Sequence, residues 1–197
     1  MFGFAIVLIL ESKLGLSPWD VLNQGLAKHT PLSFGMANIA ISLVVLCIGW
    51  SLGGRPGIGT LANAVLVGAF IQALTAVDAL TSLSHQGLTV RIPLLVIGIA
   101  LIGPASAFYI GADLGAGPRD TLMLVGARRT GARIGIVRAT LELAALAIGV
   151  VLGGTFGAGT VLFALLVGPL VEASFAALAR TPLAISSPAP VPVVIGE

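Results

Sequence analysis

Displaced against itself by 100 residues, the second half of this sequence falls on the first. Gly15, Pro18 and Asp20 meet Gly115, Pro118 and Asp120, and Thr30 and Gly35 meet Thr130 and Gly135. The stretch Leu52-Gly53-Gly54-Arg55-Pro56-Gly57-Ile58-Gly59-Thr60 meets Leu152-Gly153-Gly154-Thr155-Phe156-Gly157-Ala158-Gly159-Thr160. Roughly 25 of 70 aligned positions are identical and no gap is needed. A unit copied in this way is expected to fold twice into similar shapes, so the architecture reduces to one unit and the packing between its copies.

The repeated unit is apolar. The chain is 57% hydrophobic and 9% charged, against about 25% charged residues in an ordinary soluble domain. Apolar runs recur that are long enough to cross the roughly 30 Å hydrocarbon layer as helices. They are continuous rather than alternating, which selects helices over a closed barrel. The chain therefore reads as an all-α integral membrane protein. Its net charge of +2 leaves no nucleic-acid footprint. The single cysteine, Cys47, has no partner for a disulfide, and His29 and His85 lie far apart, so neither a metal nor another cofactor is expected.

Six membrane segments are predicted, at about Phe2–Leu10, Ser33–Leu52, Thr60–Val77, Val90–Ile110, Ile134–Leu152 and Thr160–Ala179. They form one membrane domain over 1–180, with repeat 1 at 1–80 and repeat 2 at 90–180. Three passes per copy make the repeats inverted. Pro182, Pro188, Pro190 and Pro192 mark 181–197 as a Pro-rich disordered tail. Nine residues in the first segment cover only about 14 Å, and the repeat register places its matching start roughly ten residues before Met1. Two readings follow: a missing upstream piece of that helix, which is the one favoured, or a short first helix that needs local thinning of the bilayer. The basic residues favour an internal N-terminus. Arg55, Arg119, Arg128, Arg129, Arg133 and Arg180 are then cytoplasmic, while Lys13, Lys28 and Arg91 are external.

Three constellations carry chemistry. The first is Ser17-Pro18-Trp19-Asp20 with its copy Gly117-Pro118-Arg119-Asp120. Pro18 and Pro118 suit the first turn of a helix, Ser17 can cap it, and Asp20 and Asp120 face its free N–H groups. The helices that follow are about 18 Å long, too short to cross. Each is amphipathic or re-entrant, with Asp20, Asn23, Gln24 and Lys28 expected off the apolar stripe. Two readings stand: capped connecting helices, or helix N-termini that hold an anionic group at a cavity. The second constellation is the Gly-rich turn before Thr60 and Thr160. It has no lysine and no preceding strand, so it is not a phosphate loop; the threonines are expected to cap the helices that follow. The third comprises Arg138 and Glu142, the corresponding Asn38 and Ser42, and Glu172 with its counterpart Gln72. Charges within a span are costly and should face the bundle interior, for ligand binding or as structural glue. Gly103-Pro104 predicts a kink, and Trp19 and Trp50 read as interfacial anchors.

With these residues assembled, the chain resembles the YczE/YyaS/YitT family of bacterial integral membrane proteins, most like its YczE branch. The resemblance rests on Gly15-Leu16-Ser17-Pro18-Trp19-Asp20-Val21-Leu22, Gly25, Thr30, Gly35, the Gly53-to-Thr60 turn and the weaker copy at Gly115, Pro118 and Asp120. It implies a multi-pass protein of the bacterial cytoplasmic membrane and supplies no catalytic or binding residues. The first helix reads shorter than the family's, and no soluble C-terminal domain like that of the YitT branch is expected.

The expected function is a small secondary transporter or permease of undefined substrate, with candidate ligands Asn38, Ser42, Gln72, Arg138, Glu142 and Glu172. The alternative is an accessory protein that docks a cytoplasmic partner or anionic lipid through the basic connection Arg119–Arg133. No nucleophile–base pair marks an enzyme. The expected partners are the lipid bilayer and a small molecule or ion; a homo-oligomer is left open.

Overall fold

The computed structural model describes residues 1–112 and 114–180; the Pro-rich segment lies outside the described residues. The helices run in the order α1 (Phe2–Ser12), α2 (Pro18–His29), α3 (Phe34–Ser51), α4 (Ile58–Thr75), α5 (Asp78–Thr81), α6 (Leu88–Gly111), α7 (Pro118–Thr130), α8 (Ile134–Val151) and α9 (Ala158–Leu178), with a 3-10 turn at Ser82–His85. Five of them (α3, α4, α6, α8 and α9) are long and apolar enough to cross a membrane, and α1 is a shorter apolar helix. At 1.5 Å per residue, an 18-residue helix such as α3 extends about 27 Å. The 12 residues of α2 and the 13 of α7 fall well short of that.

Local chemistry sets the helix ends. Ser17 caps α2 by accepting from the Asp20 N–H at 3.3 Å, with Pro18 in the first turn. Ser33 caps α3 in the same way through the Met36 N–H. The threonines of the Gly-rich turns behave differently from expectation. α4 and α9 begin earlier, with Gly57 and Gly157 at the N-cap, so Thr60 and Thr160 lie in the first turn and reach back to accept from the Gly57 and Gly157 N–H groups. α6 runs on through Pro93 and Pro104. The Gly103-Pro104 pair serves close packing: a Cβ on Gly103 would lie 2.7 Å from the Leu170 carbonyl oxygen of α9.

The helices interlock across the two halves. α2 packs on α8, α7 on α3, α6 on α9, and α1 between α4 and α6. Ala5, Val7 and Ile9 of α1, Val21 of α2, Ile71 of α4 and Ile99 of α6 form the most buried part of the core. Bonds from the short helices secure the turns of the opposite half. Arg129 of α7 donates to the Leu52 carbonyl at 2.9 Å, and Lys28 of α2 to that of Gly153 at 2.5 Å.

Corresponding loops dock in corresponding ways. The Gly159 N–H donates to Leu14 O at 2.8 Å, and the Gly59 N–H to Leu114 O at 2.9 Å. Gly15 and Gly115 follow with φ of 125° and 116°, a region closed to side chains. A Cβ on Gly15 would also meet the Thr160 backbone at 2.7 Å, and one on Gly115 the Thr60 hydroxyl at 2.9 Å.

Candidate functional site: a cavity with charged residues between the two halves

The loops that end at Ser17 and Gly117 bring the N-termini of α2 and α7 to one cavity of about 380 Å³. Ser17, Pro18 and Trp19 line it from α2, and Gly117, Pro118, Arg119 and Asp120 from α7. At each N-terminus the free backbone N–H groups and aligned peptide dipoles carry partial positive charge. Trp19 and Arg119 are counterparts at the 100-residue spacing, and they meet: the guanidinium lies 5.0 Å from the ring centroid. A cation over an aromatic face is attracted by the ring quadrupole. The ring thereby positions Arg119 at the cavity.

Asp20 is buried immediately behind this surface. Its carboxylate accepts from the Ser17 hydroxyl at 2.5 Å and from Asn23 Nδ2 at 3.1 Å. Burial pushes this carboxyl up, while Arg119 and the two donors pull it back. Burial likewise raises Asp120, against the pull of Arg138 and Arg119. Asn23 is fully enclosed and its Oδ1 finds no partner among the described residues. The inward position of Asp20 and Asn23 departs from the amphipathic pattern expected for α2. The expected apolar stripe is also buried, since Val21 and Leu22 press on Gly149 of α8, where a Cβ would lie 2.5 Å from the Leu22 nitrogen; α2 is therefore enclosed on more than one face.

The predicted interior residues gather here, with one exception. Asn38 and Ser42 of α3, Arg138 and Glu142 of α8, and Glu172 of α9 all line the cavity. Arg138 Nε donates to Glu142 Oε1 at 3.0 Å, as the four-residue spacing requires, with both side chains partly exposed. Gln72 is the exception. It sits outside the cavity, exposed, where its Oε1 accepts from the Ser33 hydroxyl. It lies in the last turn of α4, beside the start of α3.

Several lining residues escaped the sequence reading. Trp19 stands at the cavity, and Trp50 is exposed on α3. Arg119 belongs to the cavity and not to an exposed basic connection, of which Arg128 and Arg133 remain on the surface. Asn63, Ser106 and Tyr109 add polar groups, and Tyr109 donates to the Gly115 carbonyl at 3.1 Å. The pairing of Trp19 with Arg119 at the repeat spacing was the available signal for both. Ile102, Met123, Phe163 and Val167 complete an apolar wall.

One relative is named as a membrane protein. A protein of Bacillus subtilis named "Uncharacterized membrane protein YczE" is 38% identical over 178 residues, covering 88% of this chain and 80% of that protein. An "Uncharacterized protein" of Haemophilus influenzae is 37% identical over 182 residues, 92% of this chain and 82% of its own length. The B. subtilis "Uncharacterized protein YyaS" is 28% identical over 173 residues, 87% and 86% of the two chains. No solved structure matches. The protein is thus a multi-pass membrane protein with bacterial homologues. A family model matches residues 1–175, and the chain belongs to that family, DUF6198, a family of unknown function.

Proposed function

We propose that the protein is a small secondary transporter of the bacterial cytoplasmic membrane, built from two inverted three-helix repeats around the central cavity. The observation that carries this reading is the convergence of two non-spanning helices, one from each half, with their N-termini at a cavity where charged side chains face an apolar wall. Non-spanning helices ending at a central site are how inverted-repeat transporters present partial positive charge to an anionic group. Reciprocal docking of Leu14-Gly15 on α9 and Leu114-Gly115 on α4 supports the duplicated architecture. Corresponding residues Trp19 and Arg119 meeting face to face support it again, since counterparts touch only near a symmetry axis.

In this reading Arg119 and Arg138 attract the anionic group of a small solute, aided by the α2 and α7 N-termini. Asn38 and Ser42 supply neutral hydrogen bonds from the opposite wall. Glu172 lines the cavity with no ion-pair partner among the described residues, and it is the carboxyl assigned to carry a coupling proton. An intramembrane carboxyl is retained against a cost of about 2.5–3.5 kcal/mol, which points to use rather than accident.

Cysteine accessibility tests the reading. In a Cys47→Ser background, single cysteines at Ser42, Glu142 and Glu172 should react with a small, membrane-impermeant maleimide in native membranes. Labelling at Glu142 should fall when Arg119 is replaced by Trp, which fills the chamber. All three positions sealed from the reagent, in protein that inserts normally, would contradict a transport cavity.

A further inference from the structure

α3 and α4 pack closely along one another, whereas α8 and α9, their counterparts at the 100-residue spacing, barely touch. Four glycines record the difference. A Cβ on Gly35 would lie 2.6 Å from the Gly68 carbonyl oxygen, and one on Gly68 would collide with Ile39. The same atom on Gly135 or Gly168 meets nothing within 4 Å. Glycine inside a helix costs roughly 0.5–1 kcal/mol relative to alanine. Close helix approach accounts for that cost at Gly35 and Gly68, and in membranes such small residues are what let backbones meet. At Gly135 and Gly168 the same residues stand at the same places with no helix against them.

A second pair of positions repeats the contrast. At the far end of the closed pair, the Ser33 hydroxyl donates to Gln72 Oε1, joining the start of α3 to the last turn of α4. The counterparts are Arg133, before α8, and Glu172 on α9. They carry opposite charge, both are exposed, and neither side chain is paired among the described residues.

We infer that α8 and α9 close on each other in a second state, with Gly135 against Gly168 and Arg133 bridged to Glu172, while α3 and α4 separate. The inference rests on the transporter reading and adds its gate. The chain already contains both packings of one helix pair: closed in the first copy, open in the second. Exchanging them between copies gives the opposite state, built on the same glycine positions. α8 and α9 are joined at Leu152–Gly157, and Gly135, near the start of α8, has nothing against it, so the open end lies beside Ile134 and Leu178. With an internal N-terminus this end faces the cytoplasm. Closure withdraws Glu172 from the cavity and neutralises it with Arg133, linking the state of that carboxyl to the direction of opening.

Two cysteine pairs in the Cys47→Ser background test the gate, oxidised in native membranes with copper phenanthroline. Ser33→Cys with Gln72→Cys reports the closed pair, and Arg133→Cys with Glu172→Cys reports its exchange. Both should form intramolecular disulfides. Adding Gly168→Leu should reduce the second link at least tenfold and leave the first intact, because that side chain enters space that is open in the present state. Linking at 33–72 without any at 133–172 would overturn the gate. So would a 133–172 link that joins two chains on a denaturing gel, or one that Gly168→Leu leaves unchanged. None of these readouts needs a substrate. Sealed positions 42, 142 and 172 would sink the transport cavity, whereas a missing 133–172 link in a labelled cavity sinks only the gate.

Discussion

Asp20 and Asp120 correspond in sequence and sit in the first turns of corresponding helices, yet their surroundings differ. Both oxygens of Asp20 accept from side chains, Ser17 and Asn23, in a buried site. At the second copy those donors are replaced by Gly117 and Met123, and Asp120 faces the cavity. Asp20→Asn gives up the carboxylate that accepts from both Ser17 and Asn23, a loss of about 1–3 kcal/mol for bonds to a charged group. Asp120→Asn should cost less, so the melting temperature in detergent should fall further for Asp20→Asn. Gly15→Ala should be worse than either, because φ of 125° and the Thr160 backbone both exclude a methyl group. Thermal unfolding followed by fluorescence-detected size exclusion ranks the three. The first-turn position of both aspartates was legible from Pro18 and Pro118 alone. Asn23 was not, because a polar residue three places along a helix reads as exposed until its neighbour is known.

Helix starts, ends and lengths follow from local chemistry, and there the sequence was a good guide. Ser17, Ser33 and the Gly53-Gly54 and Gly153-Gly154 turns mark boundaries that the structure repeats within a few residues. Thr60 and Thr160 misled because threonine serves equally as a cap and as a first-turn residue reaching back, and only the backbone of Gly57 or Gly157 decides between them. Which faces of the helices meet depends on tertiary packing, and glycine spacing alone does not reveal it. Gly149 admits α2 against α8, while Gly135 on the same helix faces open space. Gly149→Leu should therefore abolish insertion or folding, and Gly135→Leu should leave the amount of folded protein near wild type. Expression of a fluorescent fusion, read by gel filtration in mild detergent, separates the two. Equal loss for both would mean that α8 is packed on both faces.

At the scale of the whole molecule, the repeat is the feature from which the rest is argued. It anticipated a cavity shared by α3, α8 and α9, and the residues proposed for it converge there apart from Gln72. Arg119 and Trp19 were missed because each has a plausible local role, basic loop or interfacial anchor, and their meeting is visible only when the two halves are assembled. Arg119→Gln and Arg138→Gln should each lower uptake of an anionic solute tenfold or more without changing expression, measured in proteoliposomes once a substrate stabilises the purified protein.

The central claim is that the two copies insert in opposite directions, which places the C-terminal ends of α2 and α7 on opposite sides of the membrane. His29 and Arg128 are exposed at those ends. Single cysteines there, in the Cys47→Ser background, can be challenged with an impermeant maleimide in intact cells and again after permeabilisation. The account predicts that His29→Cys reacts in intact cells and Arg128→Cys only after the membrane is opened. Reaction of both under the same condition would contradict it.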